Sequence, residues 1–263
     1  MTLTITRVTH ACVLLDFGGQ VLLTDPWFSE RRGYYRGEPL AFPPGGLPEL
    51  AGVLVSHGHY DHCDLAAFAA YPDRSVPFVV KRGLAAQVRQ AGFGNVTEVD
   101  PWEQASLGGL RVTAAPARHS VPEVSFVIEG HGQAVFFGGD TLRIAELDEV
   151  ATRFGRIDLA LLPVNGLAIR PAFNRQVVMT AELAGVLRPR LAVPIHYAYT
   201  AGPVRDRLLL KYDGTPERFT TALRAAAPTT QARILEPGEP LTVNGTAAPE
   251  PPQLPRAPLV PRL

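Results

Sequence analysis

The segment Ser56-His57-Gly58-His59-Tyr60-Asp61-His62 follows directly on the apolar run Val53-Leu-Val55. Three imidazoles and a carboxylate within six residues, set where a buried strand ends, restrict the chain to folds that turn a strand's carboxyl end into a site. In extended backbone His57 and His59 point the same way while Asp61 and His62 turn toward a second position, so two adjacent cation sites are feasible. Imidazole with carboxylate suits zinc and its first-row neighbours, whereas calcium and magnesium sites are built mainly from oxygen. The competing reading is a solvated polar loop. It does not explain why three of the chain's 7 histidines fall within six positions.

Around this cluster the pattern alternates strands and helices. Cys12–Leu15 and Val21–Thr24 read as a hairpin turning at Gly18-Gly19, and the second strand stops at Asp25-Pro26. A long loop then carries Arg31, Arg32, Tyr34, Tyr35 and Arg36, and loops of that length are usually functional. After the cluster, Leu65–Ala70 and Leu84–Ala91 read as helices and Phe78–Val80 and Val96–Val99 as strands. Arg111–Ala115, Val124–Ile128, Ala134–Phe137 and Leu159–Leu162 read as further strands, with Ile144–Phe154 a helix. Thr180-Ala-Glu182 looks like a helix start ahead of Leu183–Leu187, and Leu191–Val193 a strand running into Pro194-Ile-His196. Helices are expected at Val204–Leu210 and Pro216–Ala226.

With 263 residues, 46% of them hydrophobic, the chain can bury one substantial core. One domain is expected over 1–246, followed by a Pro-rich tail over 247–263 that cannot form a regular ladder. The 25 Lys and Arg balance the 25 Asp and Glu, so no global field draws polyanions and nucleic acid is not an expected partner. The first residues lack an export pattern, and no apolar run approaches the roughly 20 residues that cross a bilayer. A cytoplasmic location with no membrane-spanning segment is the expectation. Cys12 and Cys63 are read as thiols, and a homo-oligomer is compatible with the sequence.

The cluster resembles the signature of the metallo-β-lactamase superfamily, whose fold is an α/β four-layer αββα sandwich with metals at one edge of two facing sheets. Three later motifs match it in order: Pro116-Ala-Arg-His119, Phe137-Gly-Gly-Asp140 and Val193-Pro-Ile-His196. The resemblance implies that His57, His59 and His119 hold one metal ion and that Asp61, His62 and His196 hold a second. Asp140 would bridge the pair, and Asp61 and Asp140 would be the catalytic carboxylates. Asp25 would orient a ligating imidazole through its second ring nitrogen. The cofactors implied are two divalent ions, zinc first, with manganese or iron as alternatives. Two such ions about 3.5 to 4 Å apart lower the pKa of a shared water toward about 7, which supplies hydroxide for hydrolysis.

More of the chain is similar to one branch, the group containing ascorbate-6-phosphate lactonase and N-acylphosphatidylethanolamine phospholipase D. The likeness rests on Thr9-His10-Ala11, Leu23-Thr-Asp-Pro-Trp27, His59-Tyr60-Asp61-His62, Asp158-Leu-Ala-Leu-Leu-Pro163, Met179-Thr-Ala-Glu182 and Pro194-Ile-His196. It implies hydrolysis of a small phosphodiester or lactone-type ester. Candidate contacts to such a substrate, anionic in character, are His10, Arg31, Arg32, Tyr34, Tyr35, Arg36, Arg170, Asn174, Arg175, Tyr197 and Tyr199. His10 reads equally as a hydrogen-bonded core histidine, and Tyr197 and Tyr199 as packing residues. Two other activities share the fold: a single-iron persulfide dioxygenase, which keeps the histidines, and a nuclease, which the balanced charge disfavours. Di-iron flavoproteins typically carry Glu where this chain has His59.

Overall fold

The computed structural model describes residues 2–165, 167–169, 176–208, 210–212 and 214–244. Arg170, Asn174, Arg175 and the tail 247–263 lie outside the described residues.

The chain opens with β1 (Thr2–Thr9), β2 (Cys12–Phe17) and β3 (Gln20–Thr24). Gly18 and Gly19, at φ 63° and 98°, join β2 to β3 and pair Phe17 with Gln20. A two-residue turn with both positions left-handed has the twist its flanking strands need, and glycine meets that demand without strain. There follow β4 (Tyr35–Arg36), β5 (Gly52–Val55), α1 (Leu65–Phe68), β6 (Phe78–Lys81), α2 (Ala85–Gln90) and β7 (Val96–Val99). The second half supplies β8 (Gln104–Leu107), β9 (Leu110–Pro116), β10 (Val124–Gly130), β11 (Gln133–Phe137), α3 (Asp148–Phe154), β12 (Leu159–Pro163) and β13 (Leu167–Ile169). It ends with α4 (Gln176–Leu187), β14 (Leu191–Ile195), β15 (Tyr199–Thr200), α5 (Pro203–Leu208), β16 (Leu210–Tyr212), α6 (Pro216–Ala226), β17 (Gln231–Ala232) and β18 (Pro240–Asn244).

Two mixed seven-stranded sheets result, ordered β18-β1-β2-β3-β5-β6-β7 and β17-β14-β12-β11-β10-β9-β8. Alternation along the strands makes the layers. Leu54 and Val79 of the first sheet meet Phe126, Phe137, Leu161 and Val193 of the second in a core between the sheets. Their neighbours Val53, Val55 and Val80 face outward against Leu65 and Phe68 of α1 and Val88 of α2. On the far side, Phe136, Ala160 and Leu162 pack against Val150 of α3, Leu183 and Leu187 of α4 and Phe219 of α6. Strands buried on both faces are continuous apolar runs, and the stack is helix, sheet, sheet, helix. This is the αββα sandwich that the family resemblance implied.

Some elements differ from the sequence reading. Helix α4 begins at Gln176, not at Thr180. The Thr180 hydroxyl donates to Pro163 O at 2.6 Å, so it ties the helix to the end of β12 instead of capping it. The stretch 144–154 divides into a short 3-10 turn, Ala145–Leu147, and α3. Leu210 belongs to β16, not to α5. Strands β8 and β18 carry no strand pattern in the sequence; each is partly exposed and is held by pairing with a partner strand. No helix among the described residues is long and apolar enough to cross a membrane.

The fold brings the carboxyl ends of β1, β3, β5, β11, β12 and β14 to one edge of the sandwich, the usual place for sites in parallel sheets. Backbone bonds stitch the sheets together there: Val124 N to Ser56 O at 3.1 Å, and His196 N to His10 O at 3.2 Å. Three non-glycine residues at these ends have left-handed backbone: His10 (φ 47°), Asp25 (φ 35°) and His196 (φ 59°). Each such residue costs on the order of 1–3 kcal/mol, and such strain collects at functional sites.

Candidate metal centre

Beyond β5 the turn carries His57 and His59, and the segment after β9 brings in His119. His57 Nε2 and His119 Nε2 each lie 3.1 Å from His59 Nδ1. The far nitrogen of His57, Nδ1, lies 3.0 Å from Ser56 Oγ and 3.3 Å from the buried carboxylate of Glu123. Ser56 gives its hydroxyl hydrogen to Asp25 Oδ2, so toward His57 its oxygen accepts, Nδ1 carries the hydrogen and Nε2 presents its lone pair inward. Burial lowers the pKa of His57 and His59. His119 is pushed down to about 3 by burial and by the charges of His57 and His59. Three neutral imidazoles facing one point suit a cation and little else.

A second group adjoins the first, with the His57 and His62 ring centroids 4.2 Å apart. His62 Nδ1 lies 2.6 Å from Asp25 Oδ2, and Asp25 also accepts from Ser56 N at 2.7 Å and Ser56 Oγ at 2.6 Å. Nδ1 is therefore the protonated nitrogen of His62, while Nε2 is buried with no hydrogen-bond partner. An orphaned buried acceptor costs about 1–3 kcal/mol, and a cation at that lone pair removes the cost. His196 follows the same rule: Nδ1 faces the carbonyl of Asn165 at 3.3 Å, which leaves Nε2 4.0 Å from Asp61 Oδ2. His62 Nε2 is also 4.0 Å from that oxygen. Burial pushes both imidazoles well below their ordinary value. The Asp61 carboxyl, which burial alone would raise, is held well below the usual carboxylate range by His10, 3.4 Å away, and by the facing His62 and His196 imidazoles. Ligand atoms of His10, Asp61, His62 and His196 all lie within 4.8 Å of one another.

Asp140 stands between the groups. Its Oδ2 is 3.3 Å from His119 Nε2 and its Oδ1 is 3.4 Å from His196 Nδ1. The Gly138-Gly139 turn delivers it: Gly139 has φ 62°, and a Cβ there would strike Glu123 Oε1 and Ser56. Asp140 N in turn donates to Glu123 Oε1 at 2.6 Å. Burial, with the charges of Glu123, Asp61 and Asp25, holds the Asp140 carboxyl well above its ordinary value. Burial likewise raises Asp25 to about 7. Among the described residues, the ion pairs of Asp25, Asp61, Glu123 and Asp140 are all with histidines. Four carboxyls gathered without Lys or Arg lack a positive partner in their ionised form, and a metal cation would supply one.

Ser56, Glu123 and Asn165 were missed in the sequence. Glu123 alone left a trace, as an acidic residue immediately before β10. The loop after β3 forms the rim. The Arg31 guanidinium lies 3.8 Å over the Tyr60 ring and 4.7 Å over Tyr34. Tyr34 packs edge-on against both Tyr60 and Tyr199, with centroids 5.4 Å apart in each pair. Tyr199 donates to Gly33 O at 2.9 Å, and β4 pairs with β15 through Arg36–Tyr199 and Tyr35–Thr200. Asp64 accepts from Phe28 N and Ser29 N, fastening the loop to the turn after His62. Arg32 is exposed. Arg36 lies 5.8 Å over Trp27, with Nε and Nη1 buried and unpartnered. Tyr197 turns away to pack under Arg7 and to donate to Leu235 O, which matches its packing alternative. His10 is wholly buried against Trp27 and His196. Cys12 and Cys63 are both free thiols, Cys12 buried and Cys63 partly exposed.

Residues 20–197 match the family model described as a beta-lactamase superfamily domain. A UPF0173 metal-dependent hydrolase of Anaeromyxobacter dehalogenans is 29% identical over 260 residues, covering 90% of this chain and 85% of that protein. Igni18, described as a novel metallo hydrolase from the archaeon Ignicoccus hospitalis, superposes with a TM-score of 0.70 at 21% identity over 93% of this chain and 99% of its own. CmlA, a diiron β-hydroxylase from Streptomyces venezuelae, superposes with a TM-score of 0.68 at 19% identity, over 91% of this chain and 53% of CmlA. The last two likenesses speak for the fold alone.

Proposed function

This chain belongs to the metallo-β-lactamase superfamily, and from that membership we propose that it is a metal-dependent hydrolase with a dinuclear centre, acting on a small phosphodiester or lactone-type ester. The observation that carries the proposal is the pair of adjoining donor groups, His57, His59 and His119 in one and Asp61, His62 and His196 in the other, with Asp140 within 3.4 Å of both His119 and His196. His57, His59 and His119 would hold one cation and Asp61, His62 and His196 the other, with Asp140 shared. Zinc fits the imidazole-rich donors first, and manganese second. Cations bound there would acidify water and polarise the substrate's carbonyl or phosphoryl oxygen.

The chain's own residues do the positioning. Asp25, Glu123 and the Asn165 carbonyl hold His62, His57 and His196 with Nδ1 protonated, so that each turns Nε2 inward without a proton to lose. The loop latched by Tyr34, Tyr60 and Tyr199 walls the mouth. Arg31 has no carboxylate partner among the described residues and is supported on two rings, so it can offer its guanidinium to an anionic ester. The resemblance to the lactonase and phospholipase D group favours that ester class.

Elemental analysis of the purified chain, joined to a screen of phosphodiesters and lactones, tests the reading. Two zinc or manganese ions per chain are expected, with an esterase activity abolished by His59→Ala. One iron per chain with oxygen uptake on a persulfide would replace hydrolysis with oxidation.

A further inference from the structure

His10 lies close enough to Asp61, His62 and His196 to pass for a fourth ligand of the second cation. Its hydrogen bonding says otherwise. Ala198 N donates to His10 Nδ1 at 3.1 Å. A backbone N–H can only give a hydrogen, so Nδ1 is the bare nitrogen and the neutral ring carries its hydrogen on Nε2. Nε2 is buried without a formed hydrogen bond, and the acceptor it lies against is Asp61 Oδ2, 3.4 Å away. His57, His62 and His196 show the reverse pattern, each with Nδ1 against an acceptor. We propose that His10 is a positioning residue, locked in the opposite tautomer so that its Nε2–H orients the Asp61 carboxylate, and is not itself a ligand.

The mount around His10 supports this role. Strand β1 shifts register against β2 between Arg7 and Thr9, which turns the chain into the left-handed conformation of His10. Glu38 fixes that turn by accepting from His10 N at 2.8 Å and Thr9 Oγ1 at 3.0 Å. Arg7 grips both oxygens of Glu38, at 2.9 and 2.6 Å. On the other side, His10 O accepts from His196 N, and the two rings pack with centroids 4.2 Å apart. A side chain wholly buried, held at backbone N, backbone O and Nδ1, leaves Nε2 free only to face Asp61. A carboxylate ligand needs such a partner to stop it rotating away from its cation, and losing one costs about 10- to 100-fold in metal affinity.

The proposal rests on the dinuclear reading, and zinc titration against a competing chelator separates the two. Wild type, His10→Asn, His10→Gln and His62→Ala are compared, with no activity assay needed. Asn keeps an acceptor for Ala198 N but has no donor that reaches Asp61; Gln places its amide N–H where Nε2 stood. Two equivalents in wild type are expected. His10→Asn should weaken the second by about 10- to 100-fold while leaving the first unchanged, and His10→Gln should recover most of that loss. Equal second-site affinity in all three, or no recovery with Gln, overturns the positioning role and leaves the dinuclear reading standing. A loss in both His10 variants as large as that in His62→Ala makes His10 a ligand and overturns it too. Fewer than two equivalents in wild type sinks the dinuclear reading itself. Should the variants fail to fold, the histidine nitrogen spectrum of the zinc-loaded wild type decides: hydrogen on Nε2 of His10 upholds the proposal, and hydrogen on Nδ1 refutes it.

Discussion

The Nδ1 atom of His62 sits 2.6 Å from the carboxylate of Asp25, a residue 37 positions earlier that leaves the neighbouring parallel strand. The pairing of β3 with β5 makes this contact, since it sets the ends of the two strands side by side. A single carboxylate thereby governs the direction of one imidazole and, through Ser56, the start of the turn that carries the others.

Asp25→Ala removes the acceptor of three buried donors. The metal-free protein should lose about 1–3 kcal/mol for each donor left without a partner, read from urea denaturation. Zinc affinity should fall by about 10- to 100-fold, read by chelator competition. Unchanged affinity would show that His62 keeps its orientation unaided.

Gly139→Ala forces a Cβ into a left-handed position against Glu123 and Ser56. A loss on the order of 1–3 kcal/mol is expected from the backbone alone, with further loss from the displaced Asp140. Thermal melting with and without zinc separates these, because only displacement of Asp140 shrinks the shift that zinc produces.

Metal affinity should rise with pH. In the metal-free protein burial raises the carboxyls of Asp25, to about 7, and of Asp140. Below about 7 Asp25 then holds a proton, and the charge of a nearby cation favours its loss. The loaded state binds fewer protons, so affinity climbs as pH rises through about 7. Burial moves the imidazoles the other way, below their ordinary value, so they add less to that release. Calorimetric titration from about pH 6 to about 8, in buffers of different ionisation enthalpy, should find proton release that fades with rising pH. Absence of release at the low end would contradict the raised carboxyls.

Arg31→Ala should spare the fold, since Arg31 is an exposed residue. A charge-assisted hydrogen bond is worth about 1.5–3 kcal/mol, so KM for an anionic ester should rise by about 10- to 100-fold with kcat little changed. A neutral ester measured alongside should show no such rise. Equal effects on both would remove Arg31 from substrate recognition.

The centre was legible where chemistry and local pattern coincide. The runs ending at Val55, Phe137 and Ile195 each stop at the residues that converge, because a strand buried on both faces is an unbroken apolar run and its end is abrupt. What supports them was not legible. Glu123 acts through its contact with His57 and with the backbone of Asp140, and Asn165 acts through its carbonyl, which every residue possesses. Strand β18 pairs with β1 across more than two hundred residues, and no short window of sequence records such a partner. The sequence around His10 fits a core residue or a contact equally; only the hydrogen bond from Ala198, 188 positions away, distinguishes a third role.

The two imidazole groups each draw on both sheets: His59 with His119 in one, His62 with His196 in the other. Neither half of the chain owns a full complement of donors, so a fragment cut between the sheets would inherit half of each and the whole of neither. Cations seated there would rivet one sheet to the other, and pulling the layers apart would strip both at once.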